Sequence, residues 1–268
     1  HLVSGLEVPT EGEILIDGDR VGGALSRPKT QLADVGVVFQ NTTSSIDPRL
    51  TTSQVIGEPL RAAGWSQSER DERINELLRL VNLSARHTDR YVHELSGGQI
   101  QRVAIARAIA TEPRVVILDE AVSAVDVSIQ GTILNLLMRL QEDLGLTYIF
   151  ISHDLSVLKH IADRIAVMYL GEVMEVASAA QLFESPAHVY TDSLLKAIPD
   201  VDPSTSIRDT VVLAGDIPSP VDPPRGCVFH PRCPIAEPQC RTDVPDMMSV
   251  GESVSKCHFA SDVYHDRK

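Results

Sequence analysis

The sequence predicts an α/β fold on a largely parallel sheet, followed by an irregular module. Three observations carry that expectation. Short apolar runs, VGVVF at 35–39, VVIL at 115–118 and YIFI at 148–151, have the character of buried strands. Helices with one apolar face separate the later runs, and that alternation favours parallel pairing. Helical periodicity then stops near Pro199, and ten of the 16 prolines fall in residues 199–268.

The elements follow in order. Residues 11–21 (EGEILIDGDRV) set two short β-prone runs around Asp17-Gly18 and read as a hairpin. VGVVF is a brief strand. Ser66 to Val81 is a helix: Ser66 and Glu69 have capping-box spacing, and Ile74, Leu77, Leu78 and Val81 share a face. Gly97-Gly98 opens a helix through Ala110, ahead of VVIL. Ser128 to Leu144 is the next helix, with Ile133, Leu137, Leu140 and Leu144 along one side. YIFI is expected to be buried in its turn, and Leu155 to Ala162 is a short helix. We place a boundary at about 198, giving a body over 1–197 and a proline-rich tail over 198–268 that needs a cross-link to hold shape.

Composition narrows the function. At 268 residues the chain can bury one large domain plus an appendage. Lys+Arg 24 against Asp+Glu 37 gives a net charge of −13, which argues against nucleic acid as the main ligand. A nucleotide remains compatible, because backbone N–H groups and a metal can hold its phosphates. Aromatics at 4%, with Trp65 the single tryptophan, leave little for base stacking. No apolar run approaches the roughly 18 residues of a membrane span. The chain opens on His1 with no charged-then-apolar leader, so it reads as a fragment and not as a signal peptide.

Several polar residues stand where strands or helices begin and end. Asp119 and Glu120 close the VVIL strand, at the carboxyl end where open α/β sheets bind ligands. One carboxylate there can hold Mg²⁺ while its neighbour polarises an attacking water. Ser96-Gly97-Gly98-Gln99 opens a helix, a place suited to an anion. His153 and Gln40 each follow a strand. Taken one at a time, these also read as ordinary capping and turn residues.

Their order is more specific. Gln40, LSGGQ at 95–99, VVILDE at 115–120, SAVD at 123–126 and ISHD at 151–154 together resemble the ATP-binding cassette ATPases, over residues 1 to about 197. The resemblance implies a P-loop ATPase fold with a mostly parallel sheet and a helical signature subdomain, working with ATP and Mg²⁺. By it, Gln40 is the Q-loop glutamine that also faces Mg²⁺, Asp119 the Mg²⁺ carboxylate, Glu120 the general base and His153 the switch histidine. Asp126 belongs to the D-loop, and Ser96, Gly97, Gly98 and Gln99 meet nucleotide held by a second, head-to-tail cassette, either a separate chain or one fused in the same polypeptide. The segment departs from the family at Ala121, Val122 and Val125, where Pro, Thr and Leu are common; no charge or donor is lost. The phosphate loop G-x-x-x-x-G-K-[ST] occurs nowhere, and neither does the adenine-stacking aromatic expected before it. The chain is therefore expected to begin just after half of its own nucleotide site and to be inactive alone.

All four cysteines lie in the tail, spaced C-x5-C-x6-C-x16-C from Cys227 through Cys233 and Cys240 to Cys257. Zinc sites usually carry C-x2–4-C pairs, so this spacing disfavours tetrahedral zinc without excluding it. Thiols without metal and a [4Fe–4S] cluster are the other readings, with His230 and His258 as spare ligands. The stretches PPRGCVFHPRCPIAEPQC at 223–240 and SPAHVYTDSLLKAIP at 185–199 resemble the C-terminal extension of dipeptide and oligopeptide importer ATPases, with Val189 in place of a usual Pro. That resemblance implies a cluster on the four cysteines, peptide import as the work driven, two membrane permeases and an extracytoplasmic binding protein as partners, and a peripheral place on the cytoplasmic face of the membrane. Nickel chelates or glutathione as cargo, and a soluble non-transport ATPase, are the alternatives.

Overall fold

Asp17 and Gly18 both take the left-handed backbone, at φ 51° and 85°, so their turn has the twist that joins two antiparallel strands. It links β1 (Ile14–Ile16) to β2 (Asp19–Val21), which pair as the Asp-Gly signal predicts. The computed structural model describes residues 1–22, 27–123, 126–198 and 215–265. Their contacts divide the chain into two units, His1–His153 and Asp154–Lys268.

In the first unit, α1 (Lys29–Ala33) leads into β3 (Val35–Val38), which lies parallel to β4 (Val115–Asp119); β4 lies parallel to β5 (Thr147–Ile151). Val38, Leu118 and Phe150 are in register, so the carboxyl ends of all three strands are level. Central β4 is covered on both faces, with Val116, Ile117 and Leu118 buried. β5 corrects an expectation. Its run 148–151 was expected to be buried, yet Ile149 and Ile151 are exposed along with Thr147: among the described residues β5 pairs with β4 alone, and the face carrying these alternate residues is left open.

Four longer helices belong to this unit. α2 (Thr52–Ala62) has a capping box on Thr51 and Gln54, and α3 (Gln67–Leu80) has the predicted one on Ser66 and Glu69. Ile74, Leu77, Leu78 and Val81 are buried, each such side chain contributing about 1.5–3 kcal/mol of transfer free energy. α4 (Gly97–Ala108) ends two residues short of the expected Ala110. α5 (Val127–Leu144) buries Ile133, Leu137 and Leu140, while Leu144 is exposed beside Gly145, whose φ of 63° ends the helix. α4 packs directly on β3 at Gly36, where an added Cβ would lie 2.1 Å from the Ala108 carbonyl oxygen.

The second unit holds α6 (Leu155–Ile161), β6 (Arg164–Tyr169), β7 (Glu172–Ser178), α7 (Ala179–Glu184), α8 (Val189–Lys196), β8 (Met248–Val250), β9 (Ser253–Ser255) and α9 (Ala260–His265). Its antiparallel sheet runs β6-β7-β9-β8. The tail is thus not irregular throughout: residues 248–255 form a hairpin that adds its β9 to β7. The hairpin forms because Gly251 supplies the turn at φ 60° while Val250, Ser253 and Ser255 are buried. Tyr169, Met174, Val189, Val228 and Phe229 make one core cluster of this unit. Residues 199–214, where the sequence boundary near 198 opens, lie outside the described residues.

Candidate functional site

Because the three parallel strands end level, the residues just past them are neighbours. Gln40 Nε2 donates to Glu120 Oε2 at 2.8 Å, and His153 Nδ1 stands 3.1 Å from Glu120 Oε1. Ser123 Oγ donates to the Glu120 carbonyl at 2.9 Å and approaches Oε2 at 3.3 Å. Gln40, Glu120 and His153, far apart in sequence, are therefore brought to one carboxylate. His153 and then Gln40 hold the Glu120 carboxyl below the usual carboxylate range by hydrogen bonding to its charged form. Glu120 itself has φ 46°, a left-handed backbone that a non-glycine residue adopts only under local constraint. Its own N–H donates to the Ile151 carbonyl at 3.0 Å, which fixes the turn against β5.

Asp119, the last residue of β4, is half-buried, and among the described residues its side chain has no hydrogen bond or ion pair. A carboxylate left without a protein partner at a strand end suits a hard cation such as Mg²⁺. Asp126 caps α5 with its backbone: its carbonyl accepts from Ile129 at 2.8 Å, and its side chain makes no cap bond. Ala124 and Val125 of the SAVD segment lie outside the described residues.

Ser96 to Gln99 form a second, separate arrangement. Ser96 Oγ accepts from the Gln99 N–H, and Gln99 Oε1 accepts from the Ser96 N–H at 3.0 Å, a complete capping box. Among the described residues this segment is bonded to itself and to His87, not to Glu120. Gly98 is buried against α5, where an added Cβ would meet Ile129 Cγ2 at 3.0 Å, while Ser96 and Gly97 are exposed. Sequence reasoning missed the residues that support both places. Thr42 Oγ1 donates to Gln101 Oε1 at 2.7 Å, both side chains buried, tying the segment after Gln40 to α4. The buried His87 reaches Gln99 Nε2 at 3.3 Å. The one available signal for Gln101 was a polar residue on an otherwise apolar helix face; His87, in a short 3-10 turn, gave none.

In the tail, Cys227, Cys233, Cys240 and Cys257 are free thiols that line one small pocket with His230 and His258. Burial pushes the Cys233 and Cys257 thiols up to about 11, and the neighbouring cysteines add to the shift. The donor set suits a thiophilic metal in kind. Among the described residues, however, no three His, Cys, Asp or Glu side chains are grouped closely enough to hold a metal ion. The expected cluster is thus unsupported by this geometry.

Comparison with known proteins adds the following. Residues 1–123 match the ABC transporter family, and residues 174–240 match the family described as oligopeptide/dipeptide transporter, C-terminal region. The oligopeptide transport ATP-binding protein AppF of Bacillus subtilis is 44% identical over 259 residues, covering 94% of this chain and 78% of that protein. The di/tripeptide transport ATP-binding protein DppF of Pseudomonas aeruginosa is 42% identical, covering 95% of this chain and 79% of its own. Among solved structures, cbiO1 from Clostridium perfringens, part of the ABC transporter complex cbiONQ, superposes with a TM-score of 0.61 at 27% identity over 68% of this chain and 71% of that one. The cassette MJ0796, in a dimeric post-hydrolysis state with ADP and Pi, does so with a TM-score of 0.56 at 32% identity over 66% and 78%.

Proposed function

From the premise that the chain belongs to the ATP-binding cassette transporter family, we propose that it is the ATP-hydrolysing subunit that powers import of di- and oligopeptides. The observation that carries the reading is the Glu120 carboxylate, held between Gln40 and His153 at the level ends of three parallel strands. Its cargo in relatives named for peptide transport sets the substrate class. Nickel chelates and glutathione are the cargo alternatives.

Hydrolysis joins a water oxygen to the γ-phosphorus and breaks the bond to the β–γ bridging oxygen, which leaves with ADP. Asp119 would hold Mg²⁺, which when bound neutralises charge on the phosphates. Glu120 takes the water's proton; kept ionised by its two donors, it is poised as a base at neutral pH. Gln40 and His153 orient that carboxylate and can turn to the water or phosphate once a nucleotide occupies the site. Ser96, Gly97, Gly98 and Gln99 would meet nucleotide held by a second cassette, so that turnover needs a head-to-tail pair, with Asp126 beside that junction. Two membrane permeases and a binding protein complete the assembly, with this subunit peripheral on the cytoplasmic face. No helix among the described residues is long and apolar enough to cross a membrane. The division into a body over 1–197 and an extension over 198–268 belongs to this proposal, as does a thiolate-bound metal on the four cysteines, a [4Fe–4S] cluster or else zinc.

The test is Glu120→Gln in the assembled transporter. ATP binding should persist while turnover falls by about 10²–10⁴-fold, the usual contribution of a positioned base. Turnover within twofold of the unsubstituted protein would refute the assignment.

A further inference from the structure

We propose that His87 is a positioning residue for the Ser96–Gln99 segment, acting as a neutral imidazole with its proton on Nδ1. The argument is one of donors and acceptors. The Ser96 backbone N–H can only donate, so the end of the Gln99 carboxamide that lies 3.0 Å from it must be the oxygen. The amide nitrogen of Gln99 then faces His87 Nε2 at 3.3 Å, and a carboxamide nitrogen can only donate. Nε2 must therefore accept and carry no proton. The other side of the ring accommodates that assignment. Nδ1 lies 3.0 Å from the Ser84 carbonyl oxygen, which can only accept, and 3.1 Å from Ser84 Oγ, a hydroxyl free to accept as well as donate, so a proton on Nδ1 has its acceptor.

The ring is held where this requires it. His87 is 5% exposed. Its N–H donates to the Ser84 carbonyl at 2.9 Å, and its carbonyl accepts from Arg90 at 3.2 Å. The turn is fastened to the start of α2 by Ser53 N–H to Thr88 and Thr52 N–H to Arg90. A relay thus runs from the start of α2 through His87 and Gln99 to the Ser96 cap of α4. His87 touches no substrate; it acts by fixing one rotamer and one amide orientation of Gln99. Without that, Gln99 can swing away, and the exposed Ser96-Gly97 backbone loses its reciprocal cap.

The importance of this cap for turnover rests on the proposed role of Ser96–Gln99, but the test uses no nucleotide and can fail independently of it. In ¹⁵N-labelled full chain near pH 7, long-range proton–nitrogen correlation should show His87 protonated on Nδ1 only. Amide exchange at Ser96 should speed up on the order of tenfold in His87→Leu, while Leu77 and Leu78 of α3 keep their protection. His87→Gln, whose oxygen can accept from Gln99, should restore most of the protection. A proton on Nε2 in the unsubstituted protein overturns the proposal even if His87→Leu fails to fold. So does Ser96 exchange that is indifferent to His87→Leu, or a Gln variant that behaves like Leu.

Discussion

Replacing Gly36 by Ala attacks the contact of β3 with α4, and the structure sets the size of the effect. The new Cβ would lie 2.1 Å from the Ala108 carbonyl oxygen and 2.9 Å from its carbon, both backbone atoms that cannot rotate away. Reaching ordinary contact at 3.4 Å requires the helix and strand to part by about 1.3 Å. Overpacking of this kind costs about 1–3 kcal/mol, and a methyl group driven into helix backbone belongs at the upper end. For a unit of this size about 3 kcal/mol lowers the melting temperature by roughly 6–12 °C. The control is Gly131→Ala, in exposed mid-α5, where nothing lies within 4 Å of the new Cβ. That change should stabilise by about 0.5–1 kcal/mol through helix propensity. Both are read by circular dichroism in thermal and urea titrations. If Gly36→Ala unfolds within about 0.5 kcal/mol of the parent, the close packing of α4 on β3 is wrong.

Three other outcomes are expected. Because the sequence contains no G-x-x-x-x-G-K-[ST] loop, residues 1–268 alone should show no ATPase activity and weak ATP affinity; micromolar binding by calorimetry would contradict this. Burial lowers the His188 pKa to about 4 from 6.5, so this group contributes stability above 6.5 that is lost as pH falls toward 4. The neighbouring buried Glu175 is shifted up, and its contribution runs the opposite way, lost as pH rises. The difference between parent and His188→Gln isolates the histidine, and should shrink by about 2–3 kcal/mol between pH 7 and 4.5 in urea titrations; parallel curves would refute it. The proposed cluster predicts about four irons per chain and broad absorption near about 400 nm in anaerobically purified protein. One zinc per chain would replace cluster by zinc, and metal-free protein would reject both.

Much of the first unit was legible because local signals and packing agree there. Ser66 and Glu69 cap α3 as their spacing predicts, and Asp17-Gly18 turns β1 into β2. Gln40, Glu120 and His153 could be singled out because each follows an apolar strand, and parallel strands in level register gather whatever follows them. α2 escaped notice because Gly57 and Pro59 interrupt its pattern; packing over Val55, Ile56 and Leu60 outweighs both. β6, β7 and α8 were not read as elements, and the short β8 and β9 depend on partners distant in sequence. Burial of β5 was misjudged for a related reason: an apolar run shows what a strand is made of, not whether anything lies beside it.

That open side of β5 governs how the isolated chain should behave in the tube. Ile149 at 38% and Ile151 at 48% exposure flank a backbone edge to which no strand is paired among the described residues. Such an edge is a template: it can dock strands from other molecules as readily as a proper neighbour. Association should therefore grow with protein concentration and be relieved by Ile149→Lys, a gatekeeper charge at the seam. The strand whose Ile151 carbonyl fixes the turn at Glu120 thus also offers, in isolation, a border to which other chains can adhere.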